Sequence, residues 1–111
     1  MGRTHFLGEF EELILTMVLF LESDAYGNTI VKAIKEHQKR DVNLSSVHIT
    51  LYRLEEKGFL ESYMGGATKA RGGRKKRYFK ITSSGKVLLQ EMKDARTNLW
   101  KLTPQLSYSS I

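Results

Sequence analysis

Ser45-Ser46-Val47-His48-Ile49-Thr50-Leu51-Tyr52-Arg53-Leu54-Glu55-Glu56-Lys57-Gly58 and, further on, Lys75-Lys76-Arg77-Tyr78-Phe79-Lys80-Ile81 decide how this chain folds. The first stretch reads as a helix. Val47, Leu51 and Leu54 recur at i, i+4 and i+7, Ser45-Ser46 offers an N-cap, and Gly58 lies just past the end. Ser45, Ser46, His48, Ile49, Thr50, Tyr52 and Arg53 are left toward the other sides. A free face of His, Thr, Tyr and Arg differs from the Glu, Lys and Ala of ordinary surface filler. The second stretch reads as a strand that returns from a first one over Phe59 to Met64. Phe79 and Ile81 are expected toward the core, with Lys76, Tyr78 and Lys80 on the opposite side. Gly65-Gly66 and Gly72-Gly73 bracket a flexible polar loop containing Lys69 and Arg71.

Upstream, Phe10, Leu13, Ile14, Met17, Val18 and Leu21 mark one face of a first helix, with Leu15, Leu19 and Phe20 off that face. A helix apolar on more than one side needs more than one cover, and a partner subunit is one candidate. Glu9, Glu11 and Glu12 suit the first turn, where the helix dipole favours negative charge. Glu22-Ser23-Asp24 predicts a break, with Ser23 or Asp24 as the next cap. A second helix follows over Ala25 to His37, with Tyr26, Ile30, Ala33, Ile34 and His37 on one face. Gly27 near its start allows close backbone packing. Asp41 to Leu44 is an extended linker. Thr82-Ser83-Ser84-Gly85 starts a fourth helix, ending near Leu102-Thr103 because Pro104 follows.

Helix, helix, helix, hairpin, helix is a mainly α chain with a small β-hairpin, of class α+β. It is the layout of a winged helix-turn-helix, with an added C-terminal dimerisation helix. The expected organisation is a DNA-binding unit over 1–82, the dimerisation helix over 83–104 and a frayed tail over 105–111.

Composition agrees with one compact domain. The chain has 111 residues, 41% hydrophobic and 27% charged. With no Cys it has no disulfide framework, thiolate nucleophile or Cys-ligated metal. Leu13 to Leu21 is too short to span a bilayer, and Met1-Gly2-Arg3-Thr4-His5 has no apolar core behind it. The expected location is therefore the cytoplasm, with no membrane contact. His5, His37 and His48 form no i, i+4 metal pair, and no Gly-x-Ser-x-Gly elbow exists. Glu11-Glu12 and Glu55-Glu56 are adjacent on helices and point apart, so they cannot share one substrate. No enzyme activity, cofactor or metal is expected. Met17, Met64 and Met92 read as core filler.

The net charge is +6. Residues 62–90 hold eight cations and no acid, so one short segment supplies more than the whole excess. Such a patch seeks an anionic partner. The wing residues Lys69, Arg71, Arg74, Lys75, Lys76 and Arg77 follow a helix-turn-helix pattern, which favours double-stranded DNA over RNA or a membrane surface. Five phosphate contacts would give a log–log salt slope of roughly −4.5. Ser45 and Ser46 are expected near phosphates, with the helix N-terminus adding its dipole. His48, Ile49, Thr50, Tyr52 and Arg53 are expected at base edges or backbone, with an ion pair to Glu56 or Glu9 as the alternative for Arg53.

On the fourth helix, Leu88, Met92, Ala95, Leu99 and Leu102 are spaced 4, 3, 4 and 3 apart, as in an a/d seam. Together with Leu15, Leu19 and Trp100 they form the expected homodimer interface. The alternative is packing onto the chain's own first helix. Pairing would set two reading helices roughly 34–36 Å apart for a pseudo-palindromic operator.

Leu7 to Leu15, Ala25-Tyr26-Gly27, Leu51 to Phe59 and Gly72 to Thr82, in that order, resemble the PadR family of bacterial transcriptional regulators. The resemblance runs from about Leu7 to Trp100 and is to the short subclass. It implies a winged-helix domain, a homodimer held by the terminal helix, and repression of neighbouring genes. It also implies release by a small planar effector, for which Trp100 is either a stacking surface or an interface anchor. His48 stands where many members carry Tyr. The alternative function is a winged-helix module that binds protein without specific DNA binding.

Overall fold

The computed structural model describes residues 7–65 and 75–104. Four helices and one antiparallel hairpin follow the expected order. They are α1 (Glu9–Leu21), α2 (Gly27–Gln38), α3 (Leu44–Glu56), β1 (Leu60–Gly65), β2 (Lys76–Ile81) and α4 (Ser83–Lys101), with a short 3-10 turn at Glu22–Asp24. Leu60 pairs with Ile81 and Gly65 with Lys76 at the two ends of the ladder. This is the winged-helix α+β fold. The tail over 105–111, expected to be frayed, and the glycines Gly66, Gly72 and Gly73 of the expected loop lie outside the described residues.

Local chemistry sets the boundaries. The Glu11 carboxylate accepts from the Gly8 N–H at 3.2 Å and starts α1. Thr29 Oγ1 accepts from the Tyr26 N–H at 3.0 Å and donates to the Asp24 carbonyl at 2.6 Å, so α2 is capped at Tyr26 rather than at Ser23 or Asp24. Asn43 Oδ1 accepts from the N–H groups of Ser45 and Ser46 at 2.7 and 3.3 Å. Asn43 is therefore the cap of α3, and both serines sit inside its first turn. Gly58 takes a positive φ of 85° and turns the chain into β1. Thr82 Oγ1 accepts from the Gly85 N–H at 3.1 Å and starts α4.

The core gathers Ile14, Leu15, Val18, Ile30, Ile34, Val47, Leu51, Leu54, Leu60 and Phe79, all fully buried. Several expectations change here. Thr50 is 5% exposed, so it belongs to the core and not to a reading face. It lies three residues after Val47 and four before Leu54, on the apolar stripe itself. Leu15 is fully buried within the protomer, which removes it from any dimer surface. Leu88 and Met92 are also buried, because the N-terminal half of α4 packs onto its own domain. Tyr78 is buried beside Phe79 rather than facing outward. It stacks on Tyr63 at 5.6 Å and meets Tyr26 edge-on at 5.2 Å. Met64 is exposed and fills no core. His37 is exposed and meets Phe20 edge-on at 5.1 Å.

Two close approaches lock the hairpin in place. The Phe79 N–H donates to the Ala25 carbonyl at 2.9 Å, so the segment leading into α2 is tied to β2. Gly85 lets α4 begin against the backbone of Phe59, whose carbonyl oxygen a Cβ would strike.

The acidic first turn of α1 does more than complement a dipole. Glu9 binds Arg40 at 2.8 Å, Glu11 binds Lys57 at 2.9 Å, and Glu12 grips Arg96 through both oxygens at 2.7 and 2.8 Å. Three carboxylates thus tie α1 to the α2–α3 linker, to the end of α3 and to α4. Burial pushes the Glu11 carboxyl up, but hydrogen bonds from Lys57 and the Gly8 N–H, with the charges of Lys57 and Arg53, outweigh it and hold it below the ordinary value. The Arg96 hydrogen bonds hold Glu12 below that value too, against an opposing effect of burial.

Both groups titrate lower in the fold than in the open chain, where the ordinary value is 4.5. Their contribution is complete above that pH and disappears as pH falls through the folded values. Glu12→Gln is expected to lower the melting temperature at pH 7 and to narrow its deficit against the parent below pH 4.5, as followed by circular dichroism. Parallel melting curves across that range would show that the pair does not act this way.

Candidate nucleic-acid interface

One surface collects the outer side of α3, the N-terminus of α2 and the base of β2. Its centre is a cleft of about 210 Å³ lined by Tyr26, Gly27, Asn28, Leu44, His48, Tyr52, Lys76 and Arg77. Lys76 Nζ stands 4.7 Å from the Tyr26 ring centroid, and the Arg77 guanidinium 5.9 Å from that of Tyr52. Tyr52 in turn packs at 6.0 Å from Phe79 and 6.2 Å from His48. The aromatic rings therefore carry hairpin cations on one side and rest on the core on the other.

The sequence-named residues divide clearly. Ser45 and Ser46 are exposed at the first turn of α3, where the helix end is electropositive. Ile49 is 57% exposed, and Tyr52 and Arg53 share its side. His48 is half-buried. Arg53 makes no ion pair among the described residues, neither with Glu56 nor with Glu9, which is bound by Arg40. Lys75 and Arg77 are exposed and Lys76 is partly covered. Lys69, Arg71 and Arg74 lie outside the described residues. The C-terminal end of α3 carries Glu55 and Glu56, so its N-terminal half is the end suited to an anion.

Four residues that build this surface were absent from the expected DNA contacts. Tyr26 and Gly27 read from the sequence as helix face, helix start and part of the family resemblance, but not as part of the DNA-binding surface. A Cβ on Gly27 would collide with His48 Nε2 and come within 2.9 Å of Leu44 Cδ1, so this glycine makes the room in which His48 sits. Ser62 and Glu55 link the hairpin to α3. Ser62 donates to Glu55 Oε2 at 2.7 Å and accepts from Arg77 Nη1 at 3.0 Å. The signal for Gly27 was its place at a helix start beside an aromatic; no local signal marked the Ser62 bridge.

A second feature lies between α1 and α4. Leu19, Ala95, Leu99, Trp100 and Leu102 are exposed, with Trp100 at 56% and Leu102 at 83%. Leu19 and Trp100 border a groove of about 860 Å³ between α1 and α4, together with Thr16, Leu89, Lys93 and Thr97. Among the described residues no group of three His, Asp or Glu side chains is placed to hold a metal ion, and no helix is long and apolar enough to cross a membrane.

The profile of the transcriptional regulator PadR-like family matches residues 14–91, from the middle of α1 to the middle of α4. The chain belongs to the PadR-like family of transcriptional regulators. Members of this family are transcription factors, not enzymes. An uncharacterized protein of Lysinibacillus sphaericus is 31% identical over 87 residues, which span 77% of this chain and 75% of that one. The crystal structure of a PadR family transcription regulator from Clostridium difficile superposes with a TM-score of 0.71 at 25% identity, over 86% of this chain and 94% of that one. Bacillus subtilis PadR in complex with operator DNA shares the fold at a TM-score of 0.62 and 18% identity, over 92% of this chain and 53% of that one.

Gly27→Ala tests how tightly the PadR-like surface is built. Both obstructing atoms are ends of side chains, so the helix keeps its backbone and the melting temperature stays within a few degrees. His48 is expected to be displaced, with its imidazole NMR signals shifted. Unmoved His48 signals would contradict the packing.

Proposed function

We propose that the chain is a sequence-specific regulator that binds double-stranded DNA as a homodimer at a pseudo-palindromic operator. The observation that carries this reading is the cleft where Lys76 and Arg77 lie over Tyr26 and Tyr52, beside His48. It joins the exposed N-terminal half of α3 and the hairpin base into one cationic surface. Ser45, Ser46, His48, Ile49, Tyr52 and Arg53 face the major groove, and Lys75, Lys76 and Arg77 meet phosphates, with Lys69, Arg71 and Arg74 extending that contact. The acidic end of α3 stays away from the backbone. The operator complex of Bacillus subtilis PadR supports the reading by shared fold.

Pairing uses Leu19, Ala95, Leu99, Trp100 and Leu102, whose exposed apolar groups favour burial against a second copy. Each large side chain so covered contributes about 1.5–3 kcal/mol. The regulator acts as a repressor, and a small planar effector seated beside Trp100, in the groove between α1 and α4, releases the operator by changing the spacing of the two α3 helices.

A gel mobility shift with the duplex upstream of the chain's own gene, at several salt concentrations, tests DNA binding. Log affinity is expected to fall linearly with log salt. Charge reversal at Lys75 and Lys76 should cost at least about tenfold and lower the slope by about 1.8. Unchanged affinity, or equal affinity for random RNA, would overturn the reading.

Pairing is tested by sedimentation velocity. Leu99→Glu with Trp100→Ala should leave a folded monomer, since both side chains are exposed in the protomer. Trp100 is the sole Trp, so its fluorescence reports directly on the groove. Planar aromatic compounds that weaken operator binding should quench it. A variant that stays dimeric, or release without quenching, would contradict the assignment.

A further inference from the structure

Arg77 is held in an unusual way for a hairpin cation. The Ser62 hydroxyl has one proton, and Glu55 Oε2 at 2.7 Å can only accept, so that proton is committed to Glu55. Arg77 Nη1 therefore donates to the Ser62 oxygen, at 3.0 Å. The bonds run in one direction from β2 through β1 to α3. The guanidinium carbon lies over the Tyr52 ring, 5.9 Å from its centroid, so the side chain has a second contact besides its tip. Among the described residues no carboxylate comes within 4.0 Å of it. Glu55 is the acid one hydroxyl away. Lys80, further along the same strand, meets Glu61 only at 4.0 Å, with both side chains exposed.

We propose that Ser62, anchored by Glu55, is a positioning residue that aims Arg77 at the DNA phosphates and keeps it from pairing directly with Glu55. The proposal rests on the DNA-binding reading above. The hydroxyl occupies one N–H of the guanidinium and, among the described residues, no other group takes its remaining donors, which matches the bidentate fork that phosphate accepts. It also orders the side chain before DNA arrives, so less freedom is lost on binding. Without the hydroxyl, Glu55 becomes the nearest anion and competes with phosphate for the same cation.

The test is a double-mutant cycle on the full chain with an operator duplex, read across salt concentrations. Arg77→Ala should lower affinity about tenfold and reduce the salt slope by about 0.9. Ser62→Ala should lower affinity by several-fold and also reduce the slope, although it removes no charge. Ser62→Thr keeps the hydroxyl and should retain parental affinity and slope. In the Arg77→Ala background, Ser62→Ala should cost nothing further. Equal cost of Ser62→Ala in both backgrounds would overturn the proposal, as would an unchanged slope in Ser62→Ala. Failure of the parent chain to bind any duplex would instead remove the DNA-binding reading itself.

Discussion

The backbone hydrogen bond from the Phe79 N–H to the Ala25 carbonyl sets where everything else can sit. By itself such a bond contributes only about 0.5–1.5 kcal/mol. Its effect is geometric. It fixes β2 against the start of α2, so that the two residues before Tyr78 fall beside Tyr26 and Tyr52. The energy comes from the ring next to it: Phe79 is buried among the helices and is of a size whose removal costs about 3–5 kcal/mol. The stem of the wing is thereby part of the core and not an appendage. A hairpin with only its own two strands would be marginal in water.

Charge is sorted by the same frame. The chain is acidic at its start and basic toward the hairpin, yet the two do not simply attract. Glu9, Glu11 and Glu12 are consumed by Arg40, Lys57 and Arg96, cations that come from outside the hairpin. Among the described residues, Lys76 and Arg77 are left with aromatic rings and a hydroxyl as partners. Aromatic faces orient a cation without neutralising it, which preserves its value to a phosphate. The positive surface is thus the result of which cations are paired elsewhere as much as of how many the sequence holds.

Most of the fold was legible because periodicity and punctuation agreed. The stripe of Val47, Leu51 and Leu54, the glycine at 58 and the Thr82 cap each state a local rule that the tertiary structure obeys. What escaped was partly local, as at Asn43, and mostly set by contacts distant in sequence. Asn43 takes the cap of α3 because its side chain reaches two N–H groups that either serine alone would leave open. Tyr78 is buried on a strand face expected to be wet because Tyr26 and Tyr63 cover it. Leu88 and Met92 satisfy a heptad, but a heptad does not say which helix fills the other side; here it is the protomer's own core, and of the seam only Ala95, Leu99 and Leu102 project. Thr50 was legible in principle, since its spacing puts it on the stripe, and its hydroxyl disguised that. The bridge through Ser62 joins three elements and has no local signature at all.

Amide shifts in a ¹H–¹⁵N NMR titration with an operator duplex test the central claim, that α3 and the hairpin stem form one rigid DNA-facing surface. The largest changes should cluster at Tyr26, Gly27, Ser45 to Ile49, and Lys76 and Arg77, moving together at one apparent affinity. Changes centred on the α1–α4 groove, or α3 and β2 responding at separate affinities, would contradict it.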